Sequence, residues 1–176
     1  NDGNANPTWT GSNIYGLYGA FDVFVEDMDN DGDLDIVSIS KTQDSVSWHE
    51  NDGNTNPNWT TSLIANNADK ARDVHAADMD GDGDLDIITA SSEDDTIAWY
   101  ENDGNANPSW TAYDITTNAD GARGVHVADL DNDGDLDIIS ASQNDNKISW
   151  YESNSADLNI SNEAKAGVDY TTTSGT

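Results

Sequence analysis

The chain has no cysteine, few basic residues and no long apolar stretch, and each absence excludes a class of protein. Without cysteine it can form neither a disulfide bond nor a thiolate metal site. Its 6 lysines and arginines stand against 35 acidic residues, giving a formal net charge of -29. This charge argues against nucleic acid or an anionic membrane as a partner and favours cations. No apolar stretch approaches the roughly 20 residues of a membrane-spanning helix, so we expect no membrane insertion.

The chain does contain enough apolar material for a folded core. Hydrophobic residues make up 35% of it, with 6 Trp and 6 Tyr, which favours a folded protein over a disordered one. No helical periodicity is sustained. No signal peptide is visible, but the sequence opens inside a repeat, so we expect a further upstream portion.

Three acidic strings recur at a constant interval. Asp27, Asp78 and Asp129 open DMDNDGDLDI, DMDGDGDLDI and DLDNDGDLDI, 51 residues apart. A second string keeps nearly the same step, with NDGNANPTWT, NDGNTNPNWT and NDGNANPSWT beginning at 1, 51 and 102. A third set, SVSWHE, TIAWYE and KISWYE, begins at 45, 96 and 147. Self-similarity at a fixed period indicates tandem repeats of one structural unit.

Each repeat has the pattern of four short β-strands. In the middle repeat DVHAAD (73–78) and LDIITAS (85–91) are apolar runs bounded by Asp and Gly clusters. TIAWYE (96–101) alternates between two faces, and WTTSLI (59–64) follows a turn-rich stretch. Four short strands in about 50 residues predict one blade of a β-propeller.

The repeats therefore predict an all-β protein of about three tandem, four-stranded propeller-type blades. A closed propeller needs roughly four to eight blades, so we expect an incomplete or open propeller fragment, either cut from a longer array or completed by other copies. Residues 1–16 are predicted as the last strand of a preceding blade, 17–66, 67–117 and 118–161 as three blades, and 162–176 as a linker or the start of another module. The third blade has at least three strands, and ADLNIS (156–161) is its candidate fourth.

The acidic strings share the pattern D-x-D-x-D-G-x-x-D, which gathers carboxylates in one tight loop. Glycine at the sixth position permits the sharp bend, and calcium takes roughly 6–8 oxygen ligands from carboxylates, backbone carbonyls and water. Oxygen ligands without His or Cys argue against zinc and copper, and magnesium prefers a smaller shell with retained waters. We therefore predict about three calcium ions, one in each loop.

Within each loop four aspartates are assigned as side-chain ligands and the seventh residue as a backbone-carbonyl ligand. The predicted side-chain ligands are Asp27, Asp29, Asp31, Asp35, Asp78, Asp80, Asp82, Asp86, Asp129, Asp131, Asp133 and Asp137. The predicted carbonyl ligands are Asp33, Asp84 and Asp135. An EF-hand is not expected, because its twelfth residue is a glutamate and here that position is Ser38, Thr89 or Ser140.

The acidic loop between two strands, the W-[HY]-E-N-D-G string after them and the 51-residue period give the chain a family resemblance. Residues 1 to about 153 resemble the FG-GAP/VCBS repeats of secreted and cell-surface β-propellers, although the phenylalanine-glycine signature is not evident. The resemblance implies calcium in the hairpin between the first two strands of each blade, where it rigidifies the propeller. It also implies an extracellular adhesive, scaffolding or ligand-binding role. EAKAGVDYTTTSGT (163–176) resembles an interior stretch of a Calx-β domain.

Three functions stay open at this point. The first is a calcium-binding structural or adhesive module of a secreted or cell-surface protein, the second a lectin-like, glycan-binding propeller, and the third an accessory domain of a larger extracellular enzyme. We expect no enzymatic activity in the chain itself, because every conspicuous feature occurs three times and no nucleophile–base arrangement is apparent. Candidate partners are calcium, other copies or flanking blades of the same protein, glycans and surface proteins.

The remaining conspicuous residues are interpreted structurally. Packing between blades is favoured over ligand contact for the tryptophans, which are Trp9, Trp48, Trp59, Trp99, Trp110 and Trp150. His75 and His126 take the place of Phe24 and are expected to fill space, whereas Arg72 and Arg123 are expected to pair with carboxylates. The NDGN strings predict hairpin turns rather than a second metal loop.

Overall fold

The computed structural model describes residues 9–153 and 171–172, which form strands, turns and irregular segments. The strands are β1 (Ala20–Glu26), β2 (Asp35–Ser40), β3 (Ser45–Asn51), β4 (Trp59–Ala65), β5 (Ala71–Ala77), β6 (Asp86–Ser91), β7 (Thr96–Asn102), β8 (Trp110–Thr116), β9 (Ala122–Ala128), β10 (Asp137–Ser142), β11 (Lys147–Glu152) and β12 (Thr171–Thr172). This part of the chain has no helix with the length and apolar character needed to cross a membrane.

The strands form three four-stranded antiparallel sheets, in which each strand pairs with the next along the chain. We call β1–β4 blade 1, β5–β8 blade 2 and β9–β12 blade 3. Equivalent strands keep equivalent registers, with Val37 opposite Trp48 in blade 1 and Ile88 opposite Trp99 in blade 2. The three repeated sheets confirm the prediction of an all-β, open propeller-like fragment.

Each blade has a forward face toward the next blade and a rear face toward the previous one, because successive side chains of a strand point to opposite sides. The forward face of blade 1 carries Phe24, Val37, Ile39, Val46 and Trp48, and the rear face of blade 2 carries Val74, Ala76, Ile87, Ala98 and Tyr100. These side chains meet in one hydrophobic core between the two blades. Blade 2 therefore contributes to both cores.

The second core repeats the first between blades 2 and 3. The forward face of blade 2 supplies Ile88, Ala90 and Ile97, and the rear face of blade 3 supplies Val125, Val127, Ile138 and Tyr151. Burying this apolar surface on both faces stabilises a sheet that could not bury it alone, as in other repeat proteins.

The first strands of the blades lie side by side, β1 next to β5 and β5 next to β9. Along this row the ring centre of His75 lies 5.0 Å from that of Phe24 and 4.9 Å from that of His126. The equivalent residues of the three repeats thus form a line of rings in edge-on or tilted contact. This packing agrees with the interpretation of His75 and His126 as space-filling residues.

Of the third-strand tryptophans, Trp48 packs in the core between blades 1 and 2, as predicted, whereas the ring of Trp99 stacks on that of Tyr113 in its own blade, with ring centres 5.0 Å apart. Trp48 and Trp99 are buried, whereas Trp150, on the forward face of blade 3, is half-buried. Trp59 and Trp110 are also half-buried at the beginning of β4 and β8, and Trp9 is exposed.

The two ends of the described region differ from a regular blade. Residues 9–19 form no strand; Tyr15 packs against His49 with ring centres 5.3 Å apart, and the Ser40 hydroxyl donates to the Tyr18 carbonyl. The preceding-blade strand at 1–16 stays a prediction, and residues 1–8 lie outside the described residues.

The last place in blade 3 is taken by β12, whose two residues pair with Tyr151 and Glu152 of β11. The strand predicted at 156–161 lies outside the described residues, as does all of the 163–176 stretch that resembles a Calx-β domain except β12.

Two smaller predictions have different outcomes. The NDGN string connects β3 to β4 as a hairpin, as predicted, and the Asp52 carboxylate closes it by accepting the backbone N–H of Asn58 at 3.0 Å. The pairing of Arg72 with a carboxylate is wrong within the described residues. Its Nε donates to the Ser92 hydroxyl at 2.9 Å and its guanidinium carbon lies 5.2 Å from the ring centre of Phe21.

Candidate metal centre

Each acidic loop lies in the hairpin between the first and second strands of its blade. The loops follow β1, β5 and β9 and end where β2, β6 and β10 begin. All three therefore occupy the same place in the repeat, next to the second strand of the blade. The strands on either side also agree with the expectation that this is not an EF-hand.

Two positions of every loop have a left-handed backbone. The sixth, Gly32, Gly83 or Gly134, has φ between 97° and 101°, where L side chains are rarely found. The fourth position, Asn30, Gly81 or Asn132, has φ of 59°, 75° and 63° respectively. The sequence analysis found the sixth position but missed the fourth. The sequence signal for the fourth position was that only Asn or Gly occurs there, and these two residues tolerate a left-handed backbone best.

The first aspartate of each loop folds the chain around its own carboxylate. Asp27 accepts the backbone N–H of Asp31 at 3.1 Å and that of Gly32 at 3.0 Å through its two oxygens. In the second loop Asp78 accepts the N–H groups of Asp82 and Gly83 at 3.1 and 3.0 Å. The loop is thus held in a tight turn by hydrogen bonds to charged acceptors, which are stronger than those between neutral groups.

Three carboxylates converge in every loop. Their oxygens lie within 4.8 Å of one another in three groups, which are Asp27 with Asp29 and Asp35, Asp78 with Asp80 and Asp82, and Asp129 with Asp131 and Asp133. All nine residues are among the predicted side-chain ligands. Asp31, Asp86 and Asp137, predicted for the same role, lie in the same loops but outside these groups.

The ninth position has a second role that the sequence analysis missed. Asp35, Asp86 and Asp137 are buried. Asp86 accepts the N–H of Asn102 at the end of β7 at 2.8 Å through Oδ1, and that of Met79 at 3.0 Å through Oδ2. The carboxylate therefore ties the loop to a strand end that lies 16 residues further along the chain.

The other two loops have the same connection. Asp35 accepts from Asn51 at 2.8 Å and Asp137 accepts from Ser153 at 2.9 Å. In blade 1 the indole Nε1 of Trp48 also donates to Asp35 Oδ2 at 3.0 Å. The equivalent bonds in all three repeats show that the ninth aspartate is part of the blade's framework as well as of the acidic loop.

The seventh aspartate turns its side chain away from the converging carboxylates. A Cβ placed on Gly53 would lie 2.0 Å from Asp33 Oδ2, and one on Gly104 would lie 2.0 Å from Asp84 Oδ2. These side chains thus lie against the hairpin between the third and fourth strands. Asp84 Oδ1 also accepts a hydrogen bond at 3.0 Å from the Asn30 amide, which links the loops of blades 1 and 2. Such an orientation suits a residue that would offer a backbone carbonyl to a cation.

The electrostatics of the loops favour a bound positive charge. Burial, reinforced by the neighbouring carboxylates of Asp35 and Asp31, raises the pKa of Asp29 to about 6. Burial also raises the pKa of Asp86 to about 7 against the opposing effect of its backbone hydrogen bonds, and the Asp80 carboxylate raises it further. A nearby cation would stabilise the ionised form of these carboxylates and so lower their pKa values.

The residues present fit a hard divalent cation. Two ion pairs, Lys70 with Glu93 and Lys147 with Asp145, lie outside the acidic loops. The converging side chains offer only oxygen atoms, the ligands that calcium and magnesium prefer. The loops therefore supply both the negative charge and the oxygen ligands for such an ion.

Comparison with known proteins gives one family. A family model described as FG-GAP-like repeat matches residues 27–89 and again residues 78–140. The two overlapping matches together span more than half of the chain, and each begins at the first aspartate of an acidic loop. No curated protein matches the chain.

Proposed function

The chain belongs to the FG-GAP-like repeat family, and on this premise we propose that it is a calcium-binding module of a secreted or cell-surface protein, with a structural or adhesive role. The observation that carries the proposal is the convergence of three carboxylates in the same hairpin of every blade. A site that recurs in each repeat serves the repeat itself. We propose no catalytic role for it.

Calcium would supply the positive charge that the loops lack. In blade 2, Asp78, Asp80 and Asp82 would hold it through their side chains, with Asp84 offering its backbone carbonyl. Asp86 would connect this group to the blade, because its carboxylate already holds the backbone at both Met79 and Asn102. Binding in the folded state alone adds its free energy to folding. The ion would therefore rigidify the corner between β5 and β6.

No comparable observation favours a glycan-binding function. Stacking on a sugar needs exposed aromatic faces, and the repeated Trp48 and Trp99 are both buried. An adhesive or scaffolding role instead needs a rigid array of blades, which calcium-bound hairpins would provide.

Isothermal titration calorimetry of the 176-residue chain tests this proposal directly. We expect about three calcium ions per chain, bound more tightly than magnesium, because the oxygen-rich loops suit the larger ion. Asp80→Asn removes one converging carboxylate and should leave about two sites filled at calcium concentrations that saturate the original chain.

Asp84→Asn is the matched control, because the Asp84 side chain points away from the converging group. This variant should still bind about three ions. Absence of calcium binding, or equal losses in the two variants, would contradict the proposal.

A further inference from the structure

The forward face of blade 3 exposes positions that are buried in the other two blades. Ile148 is 76% exposed, whereas its equivalents Ile97 and Val46 are 0% exposed because the next blade covers them. Trp150 and Ile139 on the same face are half-buried, although Trp99 and Ile88 are buried in blade 2. Blade 3 thus carries one half of a core.

The rear face of blade 1 shows the complementary difference. Val23 is 58% exposed, whereas its equivalents Val74 and Val125 are 4% and 7% exposed. Val25 is exposed as well, and its equivalents Ala76 and Val127 are buried against the preceding blade. The rear face of blade 1 therefore carries the half of a core that blade 3 lacks.

Hydrogen-bonding groups at the edges of these two faces are complementary as well. Within the chain, the Asp95 carbonyl accepts the N–H of Ala119 at 2.8 Å, and its carboxylate accepts that of Gly121 at 2.8 Å. Asp44 makes the same two contacts with Ala68 and Lys70, both at 3.0 Å. A single turn residue thus fastens each blade to the segment leading into the next.

Both halves of this contact recur at the ends of the array. Asn146 is equivalent to Asp44 and Asp95 and has the same left-handed backbone, with φ of 58° against 52° and 57°. At the other end Gly19 is equivalent to Lys70 and Gly121, with φ of 76° against 53° and 67°. The backbone carbonyl and side-chain oxygen of Asn146 therefore occupy the acceptor positions of this contact. The N–H groups of Leu17 and Gly19 occupy its donor positions.

From these equivalences we infer that the two end faces are halves of one interface and that a second copy of this chain docks there head to tail. Its Val23 and Val25 would lie against Ile139, Ala141 and Ile148. The forward face of blade 3 has a depression of about 240 Å³ at this place, beside Gly124 and His126. Because the faces belong to different ends of the chain, the association is heterologous. It closes into a ring or extends into a filament according to the rotation between copies.

The β3 side of the rear face of blade 1 is already covered, with Ser47 and His49 buried and Tyr15 packed on His49, whereas the β1 side is exposed. Tyr15 and Tyr18 lie at the second and third strands, where they contact His49 and Ser40. Val23 and Val25 belong to the first strand and stay exposed beside them. The inner row of strands, which forms the contacts between β1, β5 and β9 inside the chain, is therefore free to continue into a second copy.

Sedimentation velocity with two complementary variants tests the inference. In calcium and about 0.15 M salt, which partly screens the repulsion between the negatively charged copies, the original chain should form species larger than its 18.9 kDa. Ile148→Asp and Val25→Asp should each remain at the mass of one chain, because each has lost one face. An equimolar mixture of the two variants should form a species of twice the chain mass and no larger one, since it retains one intact pair of faces.

The matched control is Thr111→Asp, which adds the same charge on the exposed outer strand of blade 2 and should associate like the original chain. A single-chain mass for the original protein at all concentrations, or a variant mixture without the double-mass species, would overturn the inference.

A second measurement covers the case in which an aspartate variant fails to fold. Asn146→Cys in one copy and Leu17→Cys in another should form an intermolecular disulfide in the mixture, with Asp44→Cys/Ala68→Cys as the equivalent intramolecular pair. A disulfide in the intramolecular pair without one in the mixture would also overturn the inference.

Discussion

At the scale of single residues, the ninth aspartate of each loop combines two roles that can be separated by experiment. Asp86 accepts hydrogen bonds from two backbone N–H groups, whereas Asp82 belongs to the converging group that would bind the ion. Removing the first leaves polar groups of the backbone without an acceptor. Removing the second mainly weakens the ion site.

We predict that Asp86→Ala destabilises the chain in calcium and in EGTA alike. Leaving a buried N–H unsatisfied costs about 1–3 kcal/mol, and the variant leaves two such groups. Asp82→Ala should lower the free energy of unfolding mainly in calcium. Urea denaturation at pH 8 measures both variants in both solutions. Equal behaviour of Asp86→Ala and Asp82→Ala would show that the ninth aspartate has no framework role.

His49 makes the stability of the folded chain depend on pH. It is buried on the rear face of blade 1, with its ring nitrogens 2.8 Å from the hydroxyls of Ser38 and Thr61. Burial lowers its pKa below the usual 6.5. The unfolded chain therefore takes up a proton at this residue more readily than the folded one. The contribution of neutral His49 to the free energy of unfolding is thus present at neutral pH and is lost as the pH falls below about 6.5.

His49→Tyr, which installs the residue found at the same position as Tyr100 and Tyr151, should remove this contribution. We predict that the melting temperature of the variant falls less between pH 7.5 and pH 5.5 than that of the original chain. Both proteins share every other titrating group, so the difference isolates His49. Parallel melting curves across this range would contradict the prediction.

At the scale of elements, the acidic hairpin depends on backbone conformation as much as on charge. Gly83 has φ of 98° and no atom within 4 Å of a Cβ built upon it. A side chain there would cause backbone strain without a steric clash. Gly81, with φ of 75°, lies at the position where the other two loops have Asn30 and Asn132.

We therefore predict opposite outcomes for two substitutions in one loop. Gly83→Ala should destabilise the chain by about 1–3 kcal/mol, the cost of a residue held in a sparsely populated conformation. Gly81→Asn should change stability by less than about 0.5 kcal/mol, because asparagine tolerates this conformation. Chemical denaturation of the two variants gives the comparison, and equal losses would be inconsistent with this account of the loop.

The sequence was sufficient to predict the strands, the hairpins and the acidic loops because these depend on local patterns. Alternation sets the faces of β7, and the position of Gly83 sets the bend of its loop. The bond from Asn102 to Asp86 could not be predicted, because it joins two elements whose approach depends on the whole sheet. The irregular backbone of residues 9–19 also differs from the equivalent β4 and β8, since a strand needs a neighbour to supply its hydrogen bonds.

At the scale of the whole molecule, repulsion within the net charge of -29 opposes compaction, and packing between the blades opposes this repulsion. The two cores between blades supply the favourable burial, and three divalent ions would cancel six of the negative charges. At a calcium concentration of 100 times Kd, each site adds about 2.7 kcal/mol to the free energy of unfolding. Three such sites together approach the roughly 5–15 kcal/mol total of a typical domain.

The most direct measurement is therefore thermal unfolding of the 176-residue chain in calcium and in EGTA. The melting temperature should rise steadily with calcium concentration and fall in EGTA, with magnesium giving a smaller rise at the same concentration. If the chain melts at the same temperature in calcium and in EGTA, its aspartate loops do not stabilise the blades by binding calcium.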